Sequence, residues 1–373
     1  MTPLAIAELI LGAVVVWVML NDLFNTVVVP RSTPGRWRPG GLMVRNLWRV
    51  WRGIGTRFGD VLKRERFLSR FAPLALVLIL ALWVAGLVFG YGLMLDALAY
   101  QLRPAPENLG TSMYFSALSL LTLGFGPIVA IGPAARALVL MEAATGLGTV
   151  ALTISFLFSL FASFQKRETL IITLDASAGA PPSGVTLLET CKLFDIPGEL
   201  ERIFIDWRMW SAEVLESHLA YPILNFFRSS HDNESWVSAL GAVLDAATLV
   251  ITTLDEGPRG MAKLAHQVGG HLVEDLGHFL HLEPSGEPGV ERFEFDAAIE
   301  RLRAAGYAVR DGDAAWLRFA EKRSSYASVL NQLAHRWAIP PAQWIGDRSY
   351  LRHGERQPRR APVVGAPAPR AER

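Results

Sequence analysis

The chain has 373 residues, of which 51% are hydrophobic and only 19% charged, so it carries more apolar material than a soluble protein of this size needs. A formal net charge of +1 gives no electrostatic footprint for nucleic acid, which we therefore do not expect as a partner. The single cysteine, Cys191, excludes an intrachain disulfide and most cysteine-based metal sites.

The apolar residues are concentrated in about the first 165 positions, and three stretches there are long enough to cross a bilayer as helices. They are residues 4–29, 71–95 and 143–164, the last of which extends back to about Pro133. The first stretch contains Glu8 and Asp22, and no lysine or arginine precedes Arg31. A signal peptide needs a basic start, so this stretch is predicted to be a retained membrane anchor.

The distribution of basic residues predicts the orientation of these spans. Eleven lysines and arginines lie from Arg31 to Arg70, whereas Arg103 is the one basic residue between Asp96 and Ala135. Because lysine and arginine gather in cytoplasmic loops, the N-terminus is predicted to lie outside and the C-terminus in the cytoplasm. The chain is then a multi-pass protein of the plasma (inner) membrane.

The basic segment has the pattern of an amphipathic helix lying in the membrane interface. Its apolar face is predicted to carry Leu47, Trp51, Ile54, Phe58 and Leu62. Another face carries Arg45, Arg49 and Arg52. The pattern leaves two interpretations open: a lever that connects cytosolic events to the membrane part, or a simple interfacial anchor.

Between the last two spans, residues 110–126 are predicted to enter the membrane without crossing it. Thr111 or Ser112 can cap a short helix there, and its apolar run ends at Leu121, too soon to cross a bilayer. Non-helical backbone at membrane depth is tolerated only where it lines a water-filled or protein-buried space. The residues that follow the helix are therefore expected to line such a space.

These residues are Thr122, Leu123, Gly124, Phe125 and Gly126. Glycine at alternate positions permits backbone angles that other residues resist, so successive carbonyls can point the same way. Four such segments around an axis would stack rings of carbonyl oxygens, with the Thr122 hydroxyls as a further ring. Such rings can replace the hydration shell of a potassium ion, and the C-terminal end of the short helix adds partial negative charge.

At these residues the chain resembles the potassium channel pore family, whose filter usually reads Thr-Val-Gly-Tyr-Gly. The resemblance covers residues 71–164, as outer helix, pore helix, filter and inner helix, and one pore loop per chain implies a homotetramer. It also implies that Tyr114 and Phe115 brace the filter, and that Gly146, with Gly148 on the same inner helix, serves as a gating hinge.

Three positions depart from the family pattern, and each departure removes a polar brace from the filter. Phe125 replaces the usual tyrosine, Pro127 the usual aspartate, and Leu118 stands where many members have a glutamate. The filter is therefore expected to depend on packing of Phe125 against Tyr114 and Phe115.

From residue 166 onward, helical patterns dominate, and about six helices are predicted. Apolar residues recur with the helical period at Phe295, Ile299 and Leu302, and within one segment at Trp316, Phe319, Leu330, Leu333 and Trp337. We identify no strand followed by a glycine-rich turn, so a nucleotide-binding regulatory domain is not supported.

Four residues of the C-terminal half lie at helical spacings that a metal site would need: His271, Glu274, His278 and His281. The alternative, which the sequence favours, is a solvated helix end whose histidines cap carbonyls or pack on neighbours.

The predicted fold is an all-α membrane protein with a tetrameric pore-loop channel fold, an additional N-terminal transmembrane helix and a cytosolic helical domain. Its parts are the N-terminal helix (1–30), the basic cytosolic or interfacial linker helix (31–70), the pore domain (71–165), the helical domain (166–350) and a disordered tail (351–373).

The predicted function is passive conduction of potassium, gated by the inner helix and regulated by the helical domain. This is not an enzyme activity, and no cofactor is expected besides K⁺ as the permeant ion. The expected partners are K⁺, membrane lipids, three further copies of the chain and an unknown ligand of the helical domain. The alternatives are a non-selective cation channel, a non-conducting membrane receptor or scaffold, and a membrane-tethered metal enzyme that would require the histidine cluster.

Overall fold

The computed structural model describes residues 2–29, 38–229, 234–310 and 312–346. Arg31 and Arg36 of the basic segment, and the predicted tail at 351–373, lie outside the described residues. The α-helices in the membrane half are α1 (Pro3–Val27), α2 (Pro39–Gly55), α3 (Val61–Ser69), α4 (Phe71–Ala97), α5 (Leu109–Leu120) and α6 (Pro133–Ala178). Those that follow are α7 (Gly184–Leu193), α8 (Pro197–Ala220), α9 (Trp236–Thr252), α10 (Arg259–Phe279), α11 (Arg292–Ala304), α12 (Asp313–Ser324) and α13 (Ala327–Arg336).

Three of these helices, α1, α4 and α6, are long and apolar enough to cross a membrane. They correspond to the three predicted spans, of which the first extends two residues beyond the end of α1, and the prediction of an all-α membrane protein is confirmed. Helix α6 has 46 residues and, at 1.5 Å per residue, is about 69 Å long, more than twice the thickness of a bilayer core. It therefore continues well beyond the membrane, and its C-terminal part packs against the helices that follow it.

Helices α1 and α4 pack antiparallel through small residues. A Cβ atom at Gly12 would lie 2.4 Å from the Gly90 carbonyl oxygen, and one at Gly86 would lie 2.6 Å from the Met19 side chain. Such close backbone approach is typical of helix pairs in membranes, where packing rather than hydrophobic burial drives association. The N-terminal end of α1 consequently lies at the end of α4 that leads into α5.

Asp22, near the end of α1, is fully buried within the protein. Its Oδ2 accepts hydrogen bonds of 2.9 Å from Trp83 Nε1 on α4 and from the Gly40 backbone N–H at the start of α2. Arg38 Nε lies 3.7 Å from the other carboxylate oxygen. The acidic residue that interrupts the first span is therefore hydrogen-bonded through one of its oxygens inside the protein, where it joins three helices.

The basic segment forms two helices, α2 and α3, so the prediction of one continuous helical face from Leu47 to Leu62 is wrong. The Asp60 side chain accepts from the Leu62 backbone N–H at 2.9 Å and begins α3. A capping aspartate and nearby glycines, Gly55 and Gly59, favour a break at this point over a continuous helix.

A two-residue antiparallel pairing closes the loop that contains α5. Strand β1 (Leu102–Arg103) pairs with β2 (Val129–Ala130), and a 3-10 turn at Ala99–Gln101 precedes it. The Gln101 side-chain oxygen then accepts from the backbone N–H groups of Ala134 and Ala135, both at 3.1 Å. These N–H groups have no partner within α6, so Gln101 caps the inner helix.

Helices α7 to α13 form a C-terminal helical domain around α9. The buried residues of α9 run from Trp236 to Val250 without interruption, as expected of a central helix that is apolar on every side. The segment from Trp316 to Trp337 forms two helices, α12 and α13, and not a single one, whereas α11 carries its predicted apolar face.

Arg167, on the part of α6 beyond the membrane, joins that helix to the C-terminal domain. Its guanidinium is fully buried and donates to the carbonyl oxygens of Leu224 at 3.1 Å and Phe227 at 2.8 Å, and to the Glu168 carboxylate at 3.0 Å. It also lies 3.1 Å from His218 Nε2. Because arginine only donates, this nitrogen is the acceptor, and His218 is neutral. Burial, followed by the Arg167 charge, accordingly holds the pKa of His218 well below its usual range.

We expect Arg167→Ala to lower the free energy of unfolding by about 3–5 kcal/mol, because it leaves a buried carboxylate and two carbonyl groups unpaired. The neighbouring Lys166→Ala is the matched control, since its 3.5 Å pair with Glu213 is solvent-exposed and contributes little. Chemical unfolding in detergent micelles measures both. Equal stability of the two variants would contradict the role of Arg167.

Candidate functional site: the pore loop

The short helix of the pore loop, α5, enters the membrane part from the end closed by β1 and β2. Its N-cap is Asn108, whose side-chain oxygen accepts from the Thr111 backbone N–H at 3.0 Å. The prediction that Thr111 or Ser112 caps this helix is wrong, because Asn108 already has the extended backbone that a cap requires. The Ser112 hydroxyl instead donates to Asp96 of α4 at 2.7 Å.

Helix α5 ends in a Schellman motif at the start of the predicted filter. The Thr122 backbone N–H donates to the Ser119 carbonyl at 3.0 Å, and that of Leu123 donates to Leu118 at 2.8 Å. Thr122 has a φ of 56°, which is the left-handed conformation that this motif needs and that a β-branched residue rarely adopts. Backbone strain of this kind is typical of functional sites.

Gly124 is also left-handed, with a φ of 70°, whereas Gly126 is not among the described residues with positive φ. The two left-handed residues are thus Thr122 and Gly124, whereas the glycine pattern predicts Gly124 and Gly126, two residues later. The helix cap explains the shift, because it requires the first of them at Thr122. Gly126 is instead in close contact with Leu118, whose Cδ1 would lie 2.9 Å from an added Cβ.

The aromatic residues near the filter do not form the expected contact within one chain. Phe125 is 78% exposed, and no described ring contact joins it to Tyr114 or Phe115. Phe115 is buried with Leu87 and Leu95, whereas Tyr114 is 54% exposed. Consecutive residues of α5 point to different sides, so Phe115 braces α5 against α4 while Tyr114 faces away.

Helices α5 and α6 are joined at a buried acidic side chain, Glu142, that the sequence motifs did not single out. The Ser116 hydroxyl of α5 lies 2.5 Å from Glu142 Oε1 on α6 and 3.0 Å from the Val88 carbonyl of α4. Both side chains are fully buried. Glu142 is a carboxylate in an otherwise apolar part of the inner span, and an ionisable residue at membrane depth is a signal of function that could have identified it.

Gly146 and Gly148, the predicted hinge, have different surroundings within a helix that is continuous through both. An added Cβ at Gly146 would lie 1.8 Å from the Leu120 carbonyl oxygen, at the end of α5, whereas nothing lies within 4 Å of one at Gly148. Gly146 therefore permits the inner helix to touch the backbone of the pore helix. Hinge motion at either glycine stays a prediction.

The four residues of the predicted metal site are not brought together. In the described part of the chain, no group of three or more histidine, cysteine, aspartate or glutamate side chains could hold a metal ion. Helix α10 ends at Phe279, so His281 lies beyond it, with a left-handed φ of 55°. His271 lies 3.5 Å from Asp275, and Glu274 and His278 are exposed. The metal-site interpretation, which the sequence had not favoured, is therefore contradicted: three of the four residues lie on α10 without forming a ligand group, and His281 lies beyond the end of that helix.

Comparison with known proteins finds a family that matches the pore region and a relative that matches about half of the chain. Residues 77–163 match the model of a family described as ion channel, and this stretch includes α5, the filter segment and most of α4. The membrane half therefore contains an ion-channel domain. The chain is also 24% identical over 205 residues to an uncharacterized membrane protein, YdjJ, of Bacillus subtilis (strain 168). That alignment covers 54% of this chain and 58% of the relative, and no solved structure matches significantly.

The two glycines of α6 provide a matched pair of variants. We expect Gly146→Ala to destabilise the pore by about 1–3 kcal/mol, because its methyl group overlaps the Leu120 carbonyl and forces α5 and α6 apart. Gly148→Ala, with open space around it, should be neutral or slightly stabilising. Thermal unfolding of both variants in detergent measures the difference. Similar losses in the two would show that α5 and α6 do not meet at Gly146.

Proposed function

We propose that the chain is one subunit of a homotetrameric potassium channel, with Thr122–Gly126 as its selectivity filter. The observation that carries this proposal is the backbone of these residues. It is non-helical and faces away from the protein at the end of a helix that enters the membrane, inside the stretch that matches an ion-channel family. Exposed polar backbone at membrane depth is tolerated only where it lines an aqueous path.

Selectivity would come from carbonyl groups and from the Thr122 hydroxyl. Left-handed conformations at Thr122 and Gly124 favour carbonyls that face a common axis, and the C-terminal end of α5 directs its partial negative charge to the same place. A non-selective cation channel is the second candidate. It is favoured by the lack of a contact between Phe125 and the aromatic pair within one chain, which leaves the filter less constrained.

A fourfold assembly is proposed because one chain supplies only a quarter of each carbonyl ring. The exposed apolar side chains of the filter and inner helix support it: Leu123, Phe125, Leu147, Val150 and Phe158 all need cover from lipid or from other subunits. In a tetramer, Phe125 could contact an aromatic residue of the next subunit.

Regulation by the C-terminal domain is supported by two connections to the pore. The first is made by Arg167 of α6, which donates to the Leu224 and Phe227 carbonyls of the domain. The same helix contacts the end of α5 at Gly146. The second joins the linker to the domain, where Arg228 donates to Glu65 of α3 at 2.7 Å and to the Trp337 carbonyl at 2.7 Å. Movement of the domain would thus reach the inner helix and the linker together. The ligand that would move it is unassigned.

The proposed topology has the N-terminus and the pore loop outside and the C-terminal domain in the cytoplasm, in a plasma (inner) membrane. The antiparallel packing of α1 and α4 supports it, because it sets the N-terminal end of α1 beside the end of α4 that leads into the pore loop. The basic residues of the linker then lie on the cytoplasmic side, as the positive-inside rule requires.

Purified protein in liposomes with a potassium gradient tests the function. We expect K⁺ flux that exceeds Na⁺ flux, and loss of selective flux in Gly124→Ala, because a methyl group there disfavours the left-handed backbone. Gly260→Ala is the control, since that glycine has open space and an ordinary helical backbone. Equal K⁺ and Na⁺ flux would favour the non-selective channel, and no flux from folded protein would favour a scaffold.

Native mass spectrometry in a mild detergent tests the assembly. We expect a particle that contains four copies of the 41.0 kDa chain. A monomer or dimer that still supports flux in liposomes would contradict the fourfold filter, because two chains cannot close its carbonyl rings.

A further inference from the structure

A cavity of about 400 Å³ lies where α1, α2, α4 and α6 meet the C-terminal domain. Its walls are mainly apolar and include Ile79 of α4, Phe156 of α6 and Phe279 at the end of α10. Two arginines also line it. Arg38 is already held by Thr26 at 3.0 Å and by Asp22, whereas Arg45 is exposed. Among the described residues that line it, the cavity is thus a hydrophobic space with an exposed cation, Arg45, beside it.

Arg45 belongs to a cluster of like charges. Arg45, Arg49 and Arg52 share one flank of α2, and Arg336 of α13 lies beside them. Burial, followed by the charges of Arg49, Arg45 and Arg52, lowers the pKa of Arg336. In the described part of the chain these arginines donate to neutral groups: Arg49 to the Asn46 side chain at 2.9 Å, Arg52 to the His335 carbonyl at 3.0 Å and Arg336 to the Leu280 carbonyl at 3.4 Å.

No ion pair with a carboxylate is present at these four guanidinium groups in the described ranges of the chain. Mutual repulsion in a partly buried cluster is unfavourable, and an anion bound among the four would remove it. The cluster is therefore suited to a phosphate group. The cavity beside it is suited to hydrocarbon.

The other flank of α2 indicates where the bilayer lies. Val50 and Ile54 are exposed there, at 62% and 43%, on the side of the helix away from the arginines. A helix with an exposed apolar flank and a basic flank lies in the membrane interface. The arginine cluster is consequently at the level of the lipid headgroups, and the cavity lies at the level where acyl chains begin.

We propose that this site binds an anionic glycerophospholipid, with its phosphate at Arg45, Arg49 and Arg336 and an acyl chain in the cavity. A free phosphate would leave the apolar walls unused, and a zwitterionic lipid would leave the cluster uncompensated. The lipid belongs to the cytoplasmic leaflet, and this detail rests on the proposed topology. It would lie at the contact between α2 and the domain, where Trp48 Nε1 donates to the Arg336 carbonyl at 3.3 Å.

Native mass spectrometry of the full chain in detergent tests the site, with phosphatidylglycerol or phosphatidylcholine of identical acyl chains added. We expect saturable binding of phosphatidylglycerol, weakened about tenfold or more in Arg45→Gln/Arg49→Gln. The control is Lys63→Gln/Arg66→Gln, which removes the same charge from exposed positions of α3 and should bind as the native chain does. Gly41→Phe, at a lining position where an added Cβ meets nothing closer than the Arg38 Cβ at 3.9 Å, should fill the cavity and weaken binding with every charge retained.

Three results would overturn the proposal. Equal loss in the two charge variants would show general attraction to basic surface. Undiminished binding in Gly41→Phe would show that the cavity holds no acyl chain, and equally tight binding of glycerol 3-phosphate would show that the occupant is a soluble anion. The unfolding temperature of each variant identifies any that fail to fold. Because lipid binding is measured without ion flux, its failure is distinguishable from failure of the channel proposal.

Discussion

The structure depends on the burial of one guanidinium group. Arg167 lies beyond the apolar part of α6, yet it is withdrawn from water, and its donors must all find partners inside the protein. The Glu168 carboxylate and the carbonyls of Leu224 and Phe227 supply them, and these carbonyls come from the connection between α8 and α9. The inner helix and the C-terminal domain cannot separate at this point without leaving a buried charge unpaired. Movement of the C-terminal domain is therefore coupled to movement of α6.

Buried polar groups also organise the membrane half, where three acidic side chains join successive helix pairs. Asp22 of α1 holds Trp83 of α4, Asp96 of α4 holds Ser112 of α5, and Glu142 of α6 holds Ser116 of α5. Each contact is a directional bond in a setting where apolar packing against a neighbour is scarcely better than packing against lipid. The order of the helices is thus specified by polar pairs, and apolar surface keeps them in the membrane.

Composition was sufficient to predict the three long apolar helices and the all-α fold, because a run of apolar residues has one stable arrangement in a bilayer. Contacts between distant residues were beyond the sequence. The sequence shows Glu142 as an acidic residue in an apolar helix, but it does not show its partner. Ser116 is 26 residues away, and only the packing of α5 on α6 brings the two together. Of the four metal-site candidates, His281 fell outside the helix because α10 ends at Phe279. The left-handed Thr122 was missed because glycine, and not threonine, is the expected residue in that conformation.

The pairing of β1 with β2 has a consequence for how this chain can change over evolution. The pairing fixes the two ends of the loop side by side, with α5 and residues 122–126 between them. Residues 104–107 precede α5 and lie at the surface, where added length costs closure entropy only logarithmically. This surface part of the loop can therefore acquire insertions while the geometry of residues 122–126 is inherited unchanged.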